Sequence, residues 1–353
     1  MNRLNSNKSI LKLYNSLEFQ GYSFGNTEAC SGEVVFSTAA FGFPETLTDP
    51  CCEGKIICLT YPLAGNYGAP AEQIISSIVR NYESSQAHVA GLIVADYSFE
   101  YSHWNAVCSL DQWMKEHKIP GIYGVDTRAI TKFIRDNGSC LGQIVPQGLN
   151  PIENLYDPNT VDLVSKVSCK EIINYNPTSK AAKKVVVVDC GVRNSTLGTL
   201  IDRNIAVTRV PYDYDFNTLE CDAVVLSSGP DSKLFCQKTI NNIKVTLAAD
   251  KPVLGLGVGA LFLAIASGAS VYKLPFGHHS DNQPVRVDET NKCYITSQFH
   301  NYTADEKSFP QGWNKLCSNL NDDSLEAFRK EAAPVMGCLF ENDFVYDLFF
   351  NAL

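Results

Sequence analysis

Two patterns of hydrophobic residues divide the chain. In the first half, short apolar runs alternate with turn residues and predict strands over residues 32–38, 55–60 and 89–95. Gly or Pro residues that interrupt regular structure lie beside the first two runs. Helices are predicted at 110–117 and 126–136, the second with Asp126 or Thr127 as its N-cap and Gly138 as its stop. We therefore expect a β-rich α/β domain in this half.

The second half has a different rhythm. Residues 184–189 form a continuous apolar run, which is typical of a parallel strand covered on both faces. Further strands are predicted at 205–210, 223–226 and 252–255, with helices at 194–202 and 239–248. Such alternation predicts a doubly wound parallel α/β sheet. A polar stretch from Pro146 to Lys184 separates the halves, so we expect domains at 1–155 and 184–353 joined by a linker at 156–183.

Composition narrows the possible partners. The 353 residues are enough for two domains, and a net charge of −9 without a Lys/Arg block excludes a nucleic-acid partner. No segment has the length of a membrane span. The 13 cysteines include no CxxC and no Cys/His group with zinc-ligand spacing, so we expect free thiols, a reducing compartment, no metal and no cofactor. The first residues contain no apolar core of signal-peptide length, and we expect a cytoplasmic location ahead of a mitochondrial one.

Several motifs occur in a fixed order along the chain. In the first half they are Gly32 to Phe36, Pro44 to Pro50, Leu59 to Gly68, and Gly124 to Thr131 followed by Arg135 and Gly138. In the second half they are Val188 to Gly191, Leu226 to Pro230, Phe276 to His279, and Asn282 to Pro284. The first set resembles the carbamoyl-phosphate synthase small-subunit family, and the second resembles a class I glutamine amidotransferase domain with a flavodoxin-like fold. The ordered set covers essentially the whole chain.

The resemblance also implies a partner. The region from Tyr97 to Gly142 is especially similar to the animal-type synthases, in which it is fused to the synthetase. Here we expect the chain to stop after the amidotransferase domain. The expected partner is therefore a carbamoyl-phosphate synthase large subunit, or synthetase domain, if one is present.

The family's nucleophile is a cysteine in a Gly-x-Cys-x-Gly turn between a strand and a helix, with a histidine as its base and a carboxylate as the orienter of that histidine. In this chain the turn is Gly255 to Gly259, and the nucleophile position is Gly257. Glycine has no side chain and cannot form a thioester. The resemblance therefore implies that the nucleophile is missing.

The base and its orienter are replaced as well. The family takes both from a Phe-His-Pro-Glu segment near the C-terminus, and the register of residues 335–343 places Glu341 at the base and Asp343 at the orienter. No histidine follows His300, so no nearby slip of register supplies one. A carboxylate at the base position is not tuned to accept and return a proton near pH 7.

The positions that the family uses to hold glutamine have also changed. Cys51 takes the place of a serine, and Asp231 follows Gly229 and Pro230 where the family has Gly-Pro-Gly. A carboxylate there would repel the developing oxyanion. Leu261 replaces a glutamine of the family, and Arg193 stands at a lysine position. The complete set of altered or flanking pocket positions is Cys51, Gly229, Asp231, Val258, Leu261, Phe299, Asn301 and Tyr302.

Other interpretations of these residues are weaker. Residues 255–260 fit G-x-G-x-x-A, but the turn does not follow the first strand of its unit and has no acidic residue at the spacing a dinucleotide site needs. Cys190 follows a strand, yet a structural thiol is the expected role because no histidine is near it in sequence. His278 and His279 resemble a pair that the family carries in a structural loop, and His300 is expected to support loop structure.

Two main functions remain, beside a weaker third hypothesis that the vacated pocket binds another small ligand. The first is a catalytically inactive small-subunit-like protein that binds or regulates a synthetase using free ammonia. The alternative is a functional glutamine-hydrolysing small subunit that supplies ammonia for pyrimidine or arginine synthesis. The residue at the elbow distinguishes them, and Gly257 favours the first.

Overall fold

The structure is a computed structural model that describes residues 7–14, 17–40, 42–176, 180–231 and 236–353. The strands in the described residues are β1 Lys8–Leu13, β2 Glu18–Gly25, β3 Cys30–Ser37, β4 Lys55–Leu59, β5 Leu63–Ala64, β6 Ala69–Pro70, β7 Ile74–Ile75, β8 Ile78–Val79, β9 Gly91–Val94, β10 Asp96–Tyr97, β11 Ala106–Cys108, β12 Pro120–Tyr123, β13 Cys140–Pro146, β14 Ile173–Tyr175, β15 Lys183–Asp189, β16 Ile205–Pro211, β17 Ala223–Leu226, β18 Val253–Leu256, β19 Val271–Val287, β20 Lys292–Ala304, β21 Trp313–Asn319, β22 Leu325–Lys330 and β23 Val335–Cys338. The helices are α1 Phe43–Leu47, α2 Leu110–Glu116, α3 Thr127–Asn137, α4 Leu163–Val167, α5 Asn194–Asp202, α6 Gln237–Ala248, α7 Val258–Ala266 and α8 Asp343–Phe350. No helix among the described residues is long and apolar enough to cross a membrane.

The chain divides into two compact units, and the N-terminal unit comprises Met1–Gln73 and Asn81–Val161. Its main sheet is a closed barrel with the strand order β1-β13-β3-β4-β9-β12-β2. Helix α3 begins where the Asp126 carboxylate accepts a hydrogen bond from the Ala129 backbone N–H at 2.9 Å. Its Ile130 and Ile134 lie one turn apart on a single face and are buried in the cluster of barrel side chains.

The C-terminal unit comprises Ile74–Arg80 and Asp162–Leu353. Its sheet has the order β14-β16-β15-β17-β18-β23-β22-β21-β19-β20, with β16, β15, β17, β18 and β23 parallel. Alternate residues of β15 enter different hydrophobic clusters, Val185 and Val187 in one and Val186 and Val188 in the other. Both faces of the central strands are therefore covered, as the continuous apolar run predicted.

Most of the predicted elements are confirmed. Helix α5 and strand β17 have the predicted bounds, and the other predicted strands and helices differ by a few residues at their ends. The mixed α/β fold class is confirmed as well. The antiparallel hairpin of β19 and β20, which extends the sheet at one edge, was not predicted.

The units divide the chain differently from the predicted ranges. The segment Ile74–Arg80 belongs to the C-terminal unit, because Ile78 is buried in a cluster of that unit and Arg80 pairs with Asp202 at 2.9 Å. The C-terminal unit begins at Asp162, and the segment predicted as a linker contains α4 and β14. Residues 177–179 of that segment lie outside the described residues.

Candidate functional site

The candidate site lies at the carboxyl ends of the parallel strands. Strand β15 leads to Arg193, β17 to Ser228 and Gly229, β18 to Gly257, and β23 to Glu341. Doubly wound sheets place their ligands at this edge. The turns after these strands meet at this edge, as the contacts described below show.

Gly257 holds a sharp elbow between β18 and α7. Its φ of 51° and ψ of −120° lie in a region that residues with a side chain rarely adopt. The turn is fixed from both sides, because the Gly257 N–H donates to the Cys338 carbonyl at 2.8 Å and the Gly257 carbonyl accepts from the Ala260 N–H at 3.0 Å. The elbow thus persists in a chain that has no side chain at its apex.

The space beside the elbow is occupied by Ser228. A Cβ added to Gly257 would lie 3.1 Å from the Ser228 Cβ and 3.2 Å from its Cα. The next residue, Gly229, is packed against the chain after β15, since a Cβ there would lie 1.8 Å from the Cys190 carbonyl oxygen. These close approaches fix the turn after β17 directly against the elbow.

Glu341 is at the centre of a hydrogen-bonded cluster. Its carboxylate accepts from the Arg193 guanidinium and the Thr196 hydroxyl, both at 2.7 Å, from the Ser228 hydroxyl at 2.9 Å, and from the Tyr346 hydroxyl at 2.6 Å. We call these five residues the Glu341 cluster. Because Ser228 also adjoins Gly257, the cluster extends to the elbow.

The charge state of Glu341 follows from this arrangement. Burial alone would raise the pKa of its carboxyl group, but the Arg193 charge and the hydrogen bonds from Tyr346 and Thr196 hold that pKa below its ordinary value. The pKa of Tyr346 is raised well above its ordinary value by burial and by the adjacent carboxylate. Glu341 is therefore ionised near pH 7, and every partner of its carboxylate that we describe is a donor. With two donors on each of its oxygens, Glu341 is a structural anion in this geometry.

Asp343, the residue at the orienter position, forms its ion pair outside this cluster. It is the first residue of α8, its side chain is 82% exposed, and it pairs with Arg203 at 2.8 Å. A carboxylate in the first turn of a helix is stabilised by the helix dipole, and here it also meets the cation at the end of α5. Asp343 therefore does not orient Glu341.

Asp231, which was expected to repel a developing oxyanion, is buried and accepts hydrogen bonds. Its carboxylate accepts hydrogen bonds from the backbone N–H of Asn301 and from the Asn301 side-chain amide, the latter at 3.3 Å. The Asn301 Oδ1 lies 2.9 Å from Nε2 of His279, whose ring stacks edge-on against Phe299 with centroids 4.5 Å apart. These residues tie β19 and β20 to the segment after β17. Residues 232–235 lie outside the described residues.

The remaining pocket positions are parts of the core. Val258 and Leu261 are buried in one hydrophobic cluster, and Tyr302 packs against the same cluster. Cys51 lies in the N-terminal unit, where its backbone N–H donates to the Asp49 carboxylate at 2.8 Å and its side chain is buried. Leu261 therefore fills the interior, where a polar side chain would have no water to bind.

Neither buried thiol near the strand ends is set up as a replacement nucleophile. Cys190 and Cys338 are fully buried, and burial raises the pKa of each thiol well above its ordinary value. Attack requires a thiolate, so these two cysteines are inert at neutral pH. The structural role predicted for Cys190 agrees with this placement.

The structure also gives roles to residues for which the motifs predicted none, including Ser228 of the Leu226 to Pro230 motif. Three members of the Glu341 cluster come from separate parts of the fold: Ser228, Thr196 and Tyr346. Their spacing along the sequence therefore does not indicate that they meet. Glu326 of β22 is fully buried beside His278, with 3.0 Å between the Glu326 Oε1 and His278 Nδ1. Burial would lower the pKa of His278, but Asp322 and Glu326 raise it to about 9. His278 therefore has a buried acidic partner, which no motif indicated.

Comparisons with known proteins identify both halves. Residues 11–144 match the family model of the carbamoyl-phosphate synthase small chain, CPSase domain, and residues 186–340 match that of class-I glutamine amidotransferases. The chain is 40% identical over 336 residues to the multifunctional protein CAD of Squalus acanthias, covering 94% of this chain and 15% of that protein. It is 37% identical over 357 residues to the human mitochondrial carbamoyl-phosphate synthase [ammonia], covering 97% of this chain and 23% of that protein. The chain thus spans less than a quarter of the length of either relative.

Proposed function

Because the chain belongs to the carbamoyl-phosphate synthase small-chain family and has a class-I glutamine amidotransferase domain as its second half, we propose that it is a non-catalytic member of that family. In this proposal it does not hydrolyse glutamine, and it binds or regulates a synthetase that takes free ammonia. The observation that carries the proposal is the elbow, where Gly257 keeps the strained backbone of the turn but offers no nucleophile.

The Glu341 cluster supports the same conclusion. A general base must hold a lone pair within reach of the proton it removes. Glu341 instead accepts hydrogen bonds from Arg193, Thr196, Ser228 and Tyr346, and Arg193 holds it in the charged form. A nucleophile placed at Gly257 would therefore find a fixed ion pair beside it, without a titrating base.

The similarity of this chain to its relatives does not distinguish between the two functions. The human relative is named for ammonia, and the Squalus acanthias relative is named only as multifunctional, yet both are similar to this chain at 37% and 40% identity. The residues of the site therefore carry the distinction.

The first experiment is a glutaminase assay on the purified chain, alone and with a carbamoyl-phosphate synthase large subunit. We expect no ammonia release above a heat-denatured sample, and no glutamine binding by calorimetric titration. The variant Gly257→Cys should remain inactive, because its thiol would have neither a base nor an orienting group. Ammonia release that saturates with glutamine in the unaltered chain would refute the proposal and support an active glutaminase subunit.

The second experiment concerns the partner surface, which we place on the motif-bearing segments of the N-terminal unit. Helix α3 exposes Arg128, Lys132 and Arg135 at positions i, i+4 and i+7, so one face of this helix is basic. Charge reversal at an exposed interface position suppresses association when an acidic surface is the partner. Arg128→Glu combined with Lys132→Glu should abolish co-purification with the synthetase. The matched control is Lys244→Glu, an exposed helical position of the C-terminal unit; equal binding by both variants would contradict this surface.

A further inference from the structure

A second group of polar side chains is buried in the C-terminal unit, separate from the Glu341 cluster. His278 of β19 pairs with His300 of β20 in the strand register, and Glu326 of β22 reaches both rings. The side chains of His278, His300 and Glu326 are 6%, 4% and 0% exposed. One nitrogen from each ring and one oxygen of the carboxylate all lie within 4.8 Å of one another.

Two atoms of this group are buried and face each other without a hydrogen bond. The His300 Nε2 and the Glu326 Oε2 lie 3.6 Å apart, and neither has a hydrogen-bond partner among the described residues. The His300 Nδ1 lies 3.0 Å from the Tyr302 carbonyl, which can only accept, so this nitrogen carries a proton. The Nε2 is therefore the ring atom left to face the carboxylate oxygen. A cation can bridge a buried ring nitrogen and a buried carboxylate oxygen that have no hydrogen bonds of their own.

The other histidine is oriented in the same way. The His278 Nε2 lies 3.0 Å from the Asp322 carboxylate, which leaves its Nδ1 facing Glu326 Oε1 at 3.0 Å. Histidines that bind metals commonly donate the other ring N–H to a carboxylate or a backbone carbonyl, and these two rings have one of each. Each ring therefore holds one nitrogen on an acceptor and turns the other toward Glu326, which is the orientation that ligation needs.

We propose that His278, His300 and Glu326 form a binding site for one Zn²⁺ ion. Two imidazoles and one carboxylate are a known zinc donor set, whereas Mg²⁺ and Ca²⁺ prefer oxygen donors alone. Bonds of roughly 2.0–2.2 Å in a tetrahedron separate neighbouring donors by roughly 3.3–3.6 Å. His278 Nδ1 lies 3.0 Å from Glu326 Oε1 and His300 Nε2 lies 3.6 Å from Glu326 Oε2, and one donor atom from each residue lies within 4.8 Å of the others, so the side chains must draw together somewhat to enclose one ion.

The fourth ligand is the Gln298 amide oxygen or a water molecule. Gln298 Oε1 lies 2.8 Å from the His278 Nδ1, on the same nitrogen that faces Glu326. In the metal-free chain, protons on the His278 ring bind the carboxylates of Asp322 and Glu326. Zn²⁺ would displace the proton on the nitrogen that it binds. Asp322, which lies 3.0 Å from the His278 Nε2, has a side chain that is 38% exposed, so this carboxylate connects the group to solvent.

The ion would be a structural one. Glu326 belongs to β22, whereas both histidines belong to the β19–β20 hairpin, and β21 separates these elements in the sheet order. An ion bound to all three residues would fasten the edge hairpin to the inner part of the sheet. We therefore expect Zn²⁺ to raise the thermal midpoint of the C-terminal unit.

The test is metal titration of the full chain after treatment with a chelator, with exposed Cys293 changed to Ser to remove a surface thiol. We expect one Zn²⁺ per chain by calorimetry, and Co²⁺ in the same site should give the visible absorption of tetrahedral nitrogen and oxygen ligation. His300→Gln should weaken binding at least roughly 10-fold. The control His279→Gln changes a histidine of the same hairpin whose Nε2 faces Asn301 instead of Glu326, and it should bind as the unaltered chain does.

Three results would overturn the proposal. They are the absence of saturable Zn²⁺ binding, a thiolate-to-cobalt charge-transfer band, and equal affinity in the His300→Gln and His279→Gln variants. Circular dichroism of each variant checks its fold. If His300→Gln does not fold, the cobalt spectrum and stoichiometry of the unaltered chain decide alone.

Discussion

Removal of Arg193 tests whether the Glu341 cluster stabilises the C-terminal unit. In the variant Arg193→Met, the Glu341 carboxylate would remain 11% exposed without its cation. Breaking a buried ion pair by removing one partner costs about 3–5 kcal/mol. Thr196, Ser228 and Tyr346 would still donate hydrogen bonds, so we expect the lower end of that range, about 3 kcal/mol.

This loss can be measured as a shift of the thermal midpoint. For a unit of about 200 residues, 1 kcal/mol corresponds to roughly 2–4 °C, so Arg193→Met should lower the midpoint by roughly 6–12 °C. The control is Lys238→Met, which removes the cation of an exposed pair with Asp213 in the same unit. Exposed pairs contribute about 0–1 kcal/mol, so the control should shift the midpoint by at most about 4 °C.

A second substitution identifies the cause. If the unpaired charge is responsible, Glu341→Gln placed in the Arg193→Met background should recover part of the lost stability, because the buried carboxylate is then gone. Differential scanning calorimetry of the two single variants and the double variant gives the coupling. Losses that simply add, or an Arg193→Met variant within about 1 kcal/mol of the unaltered chain, would refute the reasoning.

Three further predictions concern the same unit. Gly257→Ala should destabilise this unit by about 1–3 kcal/mol through backbone strain. Both Gly257 and Gly268 have positive φ, but a Cβ at Gly257 would lie 3.1 Å from the Ser228 Cβ, whereas a Cβ at Gly268 would meet nothing within 4 Å. Gly257→Ala should therefore be more destabilising than Gly268→Ala, which urea unfolding of the two variants measures. The folded-state pKa of Glu341 is lowered, so the stability that its charge contributes is present above the ordinary carboxyl pKa of 4.5 and is lost as pH falls through the folded-state pKa. The unfolding free energy of Glu341→Gln should therefore fall less steeply in acid than that of the unaltered chain. Iodoacetamide should label the exposed Cys293 under native conditions and leave Cys190 unmodified until denaturant is added, and native labelling of Cys190, detected by mass spectrometry, would contradict its burial.

The regular elements of the central sheet could be predicted because their signals are local. The bounds of α5 and β17 follow from apolar periodicity and a short apolar run. The β19–β20 hairpin was missed because the polar residues from Asp281 to Gln283 interrupt the apolar pattern inside a 17-residue strand. Register shifts between the two strands accompany that interruption. Such a strand is stabilised by hydrogen bonds to its partner strand, and the sequence of one strand alone does not indicate which strand it pairs with.

The candidate site was predictable only in part, for a related reason. Gly257 could be identified because its turn is a contiguous motif, and its positive φ agrees with that assignment. The four partners of Glu341 come from α5, α8 and two turns, and only three-dimensional contact brings them together. The surroundings of Asp343 could not be predicted, because its position two residues after Glu341 does not reveal that α8 begins there and directs the carboxylate to Arg203. Sequence spacing gives proximity along the chain but not the direction of a side chain.

The Glu341 cluster has a consequence for the evolution of the chain. A histidine at position 341 would remove the anion that neutralises Arg193, and a cysteine at position 257 would face the strained backbone and the nearby Ser228. Each step taken singly lowers stability before it could supply any chemistry, and the order of the steps does not avoid that loss. For the proposed non-catalytic protein, acquiring glutamine hydrolysis would therefore need several compensated substitutions instead of a single one.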